Sequence, residues 1–385
     1  MFELKKGKIR EFQELMVKHE VDVTLLMDRD SIFYFTGFHG YLGMDFGRPT
    51  VAVIPQEGEI CLITPSQEAD MARATSHVEK IITWSDGVKD EWRGPVKTEV
   101  GSGRKTIGLE YFKTHPVLTS FITDQFPDSQ IKDMYAPMSR QRMVKSPKEI
   151  EIMKEAGQVA VAMCEAGRDS IGVGVPEYEV GLAVLAGGTR KAAEFLSRDM
   201  TGSNRMFSPL IHDLQILQTG SDMHMVHRRA TSKLINKGDS LYMCFCNLAE
   251  FKGFKLGFDR QYFVGSCTEE QAQAYLHAVE GQKRSLDLIR PGVKASEVHA
   301  ASSAYYEEQG LGVCYRTGRA VGYSRLEKPE LRVDDDTVLE AGMTFAVDGG
   351  VSFPTGIAGR VGDTVLVTET GFEYITQMDK SLLIL

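Results

Sequence analysis

Residues 219–260, TGSDMHMVHRRATSKLINKGDSLYMCFCNLAEFKGFKLGFDR, constrain the fold of this chain more tightly than any other stretch. His227 stands a short way before a Gly238-Asp239 turn, an apolar strand-like run follows over 241–248, and the chain returns through Gly253 to Asp259 and Arg260. Alternation and turn residues of this kind predict a hairpin. A hairpin here brings an imidazole and a carboxylate together, the minimum for general acid-base work. The remaining segments read as building this site or covering it.

At 385 residues the chain suits two domains rather than one, since single domains typically hold ~100 to 200 residues. A net charge of -9 speaks against nucleic acid or an anionic membrane as partner, because both need a basic face. It leaves room for an anionic small molecule, which a few arginines can hold. No stretch approaches the ~20 apolar residues of a membrane span. The opening residues, MFELKKGKIREFQELM, pattern as an amphipathic helix and not as a signal peptide. The expectation is a cytoplasmic protein. Six cysteines, at 61, 164, 244, 246, 267 and 314, show no metal-binding spacing and read as reduced thiols. Cys244 and Cys246 fall two apart on a strand, so both face one way and read as small core hydrophobes.

After the first helix, VDVTLLM reads as a strand, and DSIFYFTGF as a strand or short helix ending at Gly37. TVAVIPQEGEICLIT reads as a hairpin turning at Gln56-Glu57-Gly58, and VEKIITW and KTIGLEY as further strands. Strands alternating with helical segments make an α/β domain over 1–140, with a linker at about 136 to 145. At Ser146-Pro147-Lys148-Glu149 a capping box with proline in the first turn opens a long helix. The second domain, 141–385, then shows helix pairs followed by antiparallel strand pairs, twice over. That order predicts an α+β fold, a curved antiparallel sheet with its helices on one face.

The capped helix at Ser146, TGSDMHMVH with its KGD, the hairpin ending FDRQYF, TGRAVGY, LEAGMTFAVDGG and GRVGDTVLVTETG occur in the order and spacing of the creatinase, prolidase and methionine aminopeptidase family, which the second domain therefore resembles. SIFYFTGF and FGRPTVAVI in the first half resemble the N-terminal domain of the creatinase and prolidase type. The resemblance implies the pita-bread fold for 141–385 and a homodimer, with the N-terminal domain of one subunit near the site of the other.

Metallopeptidases of this family hold two metal ions on two aspartates, a histidine and two glutamates. Matched motif by motif, those positions here carry Cys246, Gly257, Arg319, Asp348 and Gly362. A glycine offers no donor side chain, and a guanidinium repels a cation. The resemblance thus implies no metal and no other cofactor, and points to the metal-independent creatinase branch. His227 matches its catalytic histidine, Asp259 and Asp348 its substrate-binding glutamates, and Arg48, with Phe46 beside it in FGR, the arginine that grips a substrate carboxylate. Creatinase itself has histidines where Arg319 and Gly362 stand, which speaks against creatine as the substrate.

An imidazole has a reference pKa near ~6.5, which suits His227 to take a proton from water at neutral pH. His224, three residues away, is a second candidate for the same pocket. A fixed guanidinium at Arg319 can stabilise an oxyanion or clamp a carboxylate. Arg316, Arg325 and Arg360 lie in neighbouring motifs and suggest a cationic pocket for a small anionic substrate. Arg260 is expected on the opposite face of the sheet in a structural role. The expected activity is metal-independent hydrolysis of a carbon-nitrogen bond in a small, non-peptide, carboxylate-bearing compound of amidine, amide or ureido type. A metal-free lyase or isomerase, in which His227 takes a proton from carbon, and a non-catalytic binding module of the same fold both stay open.

Overall fold

The computed structural model describes residues 2–88, 90–212, 216–245, 250–324 and 326–385, with side chains from Lys5 onward. The chain divides into two compact units, Met1–Gln141 with Met200–Met206, and Arg142–Asp199 with Phe207–Leu385.

The first unit begins with helix α1 (Phe2–Lys18) and strand β1 (Val23–Leu26). Asp28 then accepts a hydrogen bond from the Ser31 amide at 2.9 Å, and Gly37 closes the turn with a φ of 81°. These two caps make the aromatic run helical, as α2 (Arg29–Thr36). A six-stranded sheet joins β1 to β2 (Val51–Pro55), β3 (Cys61–Pro65), β4 (Lys80–Trp84), β5 (Thr106–Leu109) and β6 (Gln130–Asp133), in the order β4-β3-β2-β1-β5-β6. The β2–β3 pair is the antiparallel hairpin the Gln56-Glu57-Gly58 turn predicts, while β5 runs parallel to both β1 and β6. Helices α3 (Ala69–Thr75), α4 (Arg93–Val100) and α5 (Pro116–Gln125) alternate with the strands. Val53, Ile63, Trp92, Val96, Leu109 and Leu118 share one apolar core between them. The segment read as a linker is instead mostly helix α6 (Tyr135–Met143): its Ala, Met, Arg and Gln are good helix formers, and no glycine interrupts them.

In the second unit α7 (Pro147–Ser170) begins at the expected capping box, with the Ser146 amide donating to Glu149 at 2.7 Å. Helix α8 (Glu177–Leu196) packs along it. Strands β7 (Ile216–Thr219), β8 (Ser240–Cys244) and β9 (Asp259–Phe263) precede helices α9 (Glu269–Leu286) and α10 (Ala295–Glu308). Strands β10 (Gly318–Ala320), β11 (Glu327–Leu331), β12 (Thr344–Ser352), β13 (Ala358–Val367) and β14 (Phe372–Tyr374) complete the unit. One antiparallel sheet runs β11-β10-β12-β13-β9-β8-β7, with β14 on β13.

Helix α9 crosses β12 and β13 so closely that a Cβ on Gly349 or Gly359 would overlap the carbonyls of Ala278 and Ala274. Strand alternation then turns Asp348 and Arg360, next to those glycines, and Gly362, two residues beyond Arg360, to the other face. No described helix is long and apolar enough to cross a membrane.

Candidate active site

Sheet register places the acidic residues in one row. Asp259 on β9 stands opposite Gly362 on β13, which stands opposite Asp348 on β12. The missing side chain at 362 leaves room for both carboxylates: a Cβ there would overlap Asp259 Oδ2 and lie only 2.9 Å from Asp348 Oδ1. Arg319, buried on β10, brings Nη1 to 3.7 Å from Asp348 Oδ2. Its Nη2 lies 3.6 Å from where a Cβ of Gly257 would stand. Gly362 thus vacates room for charged groups of the neighbouring strands, whereas a Cβ at Gly257 would meet the Ala346 side chain first.

These groups line a cavity of about 620 Å³ together with His227, Arg316, Tyr306 and Arg360. Burial pushes the Asp348 carboxyl above its ordinary value; Arg319, Arg316 and Arg360 pull it down, Asp363 adds to the rise, and burial wins. Its side chain keeps 35% of its surface, which opens into the cavity. The three arginines are not equivalent. Arg316 Nη1 is held by Glu330 at 2.8 Å and Arg319 is paired with Asp348. Arg360 donates to the Ser352 hydroxyl at 3.2 Å and lies over the Tyr242 ring at 6.0 Å, forms no ion pair among the described residues, and leaves its Nε without a hydrogen-bond partner. The Tyr306 hydroxyl accepts the Gly350 amide at 3.2 Å.

His227 is exposed at the cavity mouth, and the loop carrying it is fixed from below. Glu177, the first residue of α8 and fully buried, accepts from Thr219 Oγ1 at 2.6 Å, Thr231 N at 2.9 Å and Arg228 Nη1 at 2.7 Å. Asp222 adds contacts to Arg228 at 3.2 Å and Lys233 at 3.0 Å. Burial alone would raise the Glu177 carboxyl, but the bonds from Arg228, Thr219 and Thr231 outweigh it and hold it below the ordinary range. One carboxylate therefore ties both ends of the 219–231 loop to a helix.

Of the site residues read from the sequence, the cavity gathers His227, Asp259, Arg319, Asp348 and Arg360. His224 does not line it: its Nδ1 lies 2.8 Å from the Ser221 carbonyl, within its own turn. Arg48 belongs to the first unit and pairs with Asp86 at 2.6 Å, and Phe46 packs on Tyr41. Arg325 and Cys246 lie outside the described residues. Arg260 points away from the cavity, to Asp363 at 2.7 Å and the Gly362 carbonyl at 2.9 Å, in the structural role expected. Sequence reading missed Glu177 and Tyr306. Pro176-Glu177 at a helix start was the available signal for the first; nothing local marks the second.

Residues 151–369 match the profile of metallopeptidase family M24, and residues 8–144 that of the creatinase/prolidase N-terminal domain. The chain belongs to family M24. The agropine synthesis cyclase of Rhizobium rhizogenes is 28% identical over 399 residues, covering 98% of this chain and 96% of that one. The creatinase of Bacillus sp. strain B-0618 is 27% identical, covering 95% and 88%. Among solved structures, the recombinant prolidase of Thermococcus sibiricus superposes with a TM-score of 0.84 at 21% identity, covering 99% of both chains. The two-domain pita-bread architecture of this family is therefore the fold of this M24 protein.

Among the described residues, the donors of this M24 chain do not fit the family's metal pair. Among the described residues no group of three or more histidine, cysteine, aspartate or glutamate side chains could hold a metal ion. Two carboxylates converge at Gly362, but a guanidinium already stands beside them, in the space in front of Gly257. A divalent cation needs several oxygen or nitrogen donors and no fixed positive neighbour.

Proposed function

We propose that this protein is a metal-independent enzyme that hydrolyses a carbon-nitrogen bond in a small, non-peptide, carboxylate-bearing substrate. The observation that carries the reading is one cavity in which His227, two convergent carboxylates and an arginine stand together, with Arg319 in front of Gly257. His227 takes a proton from water at the mouth. Arg319, desolvated and fixed by Asp348, faces the oxygen on which charge develops. Arg360, with no ion pair among the described residues, receives the substrate carboxylate. Asp259 and Asp348 hold the nitrogenous end. In a homodimer, Arg48 and Phe46 of one subunit would complete the site of the other. Creatinase, similar over most of its length, supports this class of reaction.

A second reading is ring closure without water, favoured by full-length similarity to a protein named a cyclase. A nucleophile within the substrate then takes the place of water, and His227 deprotonates that group instead.

Elemental analysis, with turnover of N-acyl, amidino and ureido acids measured with and without chelator in ¹⁸O-water, tests both. Turnover without stoichiometric metal, resistant to chelator and incorporating solvent oxygen, is the expected result. Turnover without incorporation transfers the assignment to cyclisation, and stoichiometric metal with chelator-sensitive activity overturns the metal-free site.

A further inference from the structure

The His227 imidazole forms no hydrogen bond and no ion pair among the described residues, although it stands exposed at the cavity mouth. With neither ring nitrogen engaged, its direction is set through its own main chain. That main chain is a turn: the Arg228 amide donates to the Met225 carbonyl at 3.0 Å, with Val226 and His227 between them. Both ends of the turn are bonded to β7. The Gln218 side-chain amide donates to the Met225 carbonyl, and the Leu217 amide to the Arg228 carbonyl at 3.2 Å.

Two attachments to one strand leave the turn free to roll about that strand, and a third attachment to another element removes the rotation. The third is the Arg228 side chain, the neighbour of His227, whose Nη1 reaches Glu177 at the start of α8 at 2.7 Å. The anchor itself is rigid. Glu177 is fully buried, its carboxylate also accepts from Thr219 Oγ1 and Thr231 N, and its amide donates to the Lys233 carbonyl at 2.9 Å. Asp222, 3.2 Å from Arg228, supports the same guanidinium from within the loop.

We infer that Glu177 is a positioning residue of the reaction: acting through Arg228, it sets the direction of the His227 imidazole while lining no part of the cavity. The inference rests on the hydrolytic reading above, in which His227 is the base. In that reading the substrate is held by Arg360, Asp259 and Asp348, which stand on strands of the sheet and not on this loop. A loosened loop should therefore leave substrate binding alone and cost turnover, since a base misplaced by ~1 Å can lose about 10²-fold. A Glu177 that serves folding alone would instead lower the amount of folded protein, and its effect on turnover would vanish once stability returned.

Two variants of the full chain separate these cases. Glu177→Gln leaves Arg228 without its buried counter-charge, and the double variant Glu177→Gln/Arg228→Met removes the unpaired charge and should recover stability. In both, kcat per folded chain should fall at least about tenfold with KM within about twofold of wild type. Recovery of kcat along with stability in the double variant overturns the positioning role. Added to His227→Ala, the Glu177→Gln change should cost less than about twofold, and a full additional loss overturns the route through His227. A readout without substrate is the His227 ring resonance of histidine-labelled protein, assigned by its loss in His227→Ala. It should shift or split in Glu177→Gln that is folded by circular dichroism, and an unchanged resonance overturns the role whatever the reaction is. A moved resonance with lost turnover, but no solvent oxygen in the product, upholds the positioning role and replaces only the hydrolytic reading. Should Glu177→Gln fail to fold, the double variant serves for each comparison.

Discussion

Arg319 lines the cavity, and Gly362 stands between two more of its lining residues, Asp259 and Asp348. A methyl at 362 has no free space, since it meets Asp259 and Asp348 at once, so Gly362→Ala should cost about 1–3 kcal/mol in urea unfolding. Arg319 is the guanidinium held against Asp348, whereas Arg316 is engaged by Glu330. Arg319→Gln should therefore lower kcat/KM by about 10²–10³-fold. Arg316→Gln should cost far less, and equal losses in the two variants would remove the special place given to Arg319. At this scale the sequence was readable where a residue type carries its own chemistry. His227, Asp259, Asp348 and the arginines were legible as candidates. That Arg316 is ion-paired while Arg360 forms no ion pair among the described residues was not, because the Arg316–Glu330 pair is a contact between β11 and the segment leading into β10.

At the level of elements, the loop 219–231 owes its shape to α8. Glu177 is fully buried and its partners include a charged arginine, so Glu177→Ala should destabilise the protein by about 3 kcal/mol through an uncompensated Arg228. Hydrogen exchange should show the loss concentrated in residues 216–233. The sign of its pH dependence follows from the depressed carboxyl. A carboxylate held below its unfolded value contributes stability that is present above that value, ~4.3 for a free glutamate, and lost as pH falls through the folded value. The stability gap between wild type and Glu177→Gln should thus be full at pH 7 and close below about pH 4. A gap that does not change with pH would mean Glu177 acts by shape alone. Elements with strong local signals were legible, among them the capping box of α7 and the hairpin at residue 58. Whether the aromatic run 29–36 is strand or short helix stayed open, because its caps at Asp28 and Gly37 compete with a high strand propensity.

Across the whole molecule, buried acids pull pH stability in two directions. Asp28 in the first unit and Glu327 in the second are both lowered: burial pushes each up, but Lys113 with Ser31, and Lys145 with Arg142 and Ser324, together outweigh it. Both therefore stabilise at neutral pH, and both units should lose stability as pH drops below the ordinary carboxylate range. Asp348 runs the other way: its carboxyl is raised, so its contribution is full in acid and fades as pH rises through the folded value. Asp348→Asn should accordingly be more stable than wild type at pH 8 and lose that advantage on acidification, a comparison thermal unfolding across pH 4–8 makes directly. By itself the sequence determined the two-part α/β and pita-bread organisation, because periodicity, capping and turn chemistry act over a few residues and motif order survives along the chain. It also showed, from residue type alone, that Gly257 and Gly362 offer no donor side chain. Only the tertiary structure decided that Asp259 and Asp348 converge over Gly362, that α8 anchors the His227 loop, and that Arg360 forms no ion pair among the described residues. Each of these depends on register between strands or packing between segments far apart in sequence, and one residue of slip would turn every side chain to the opposite face.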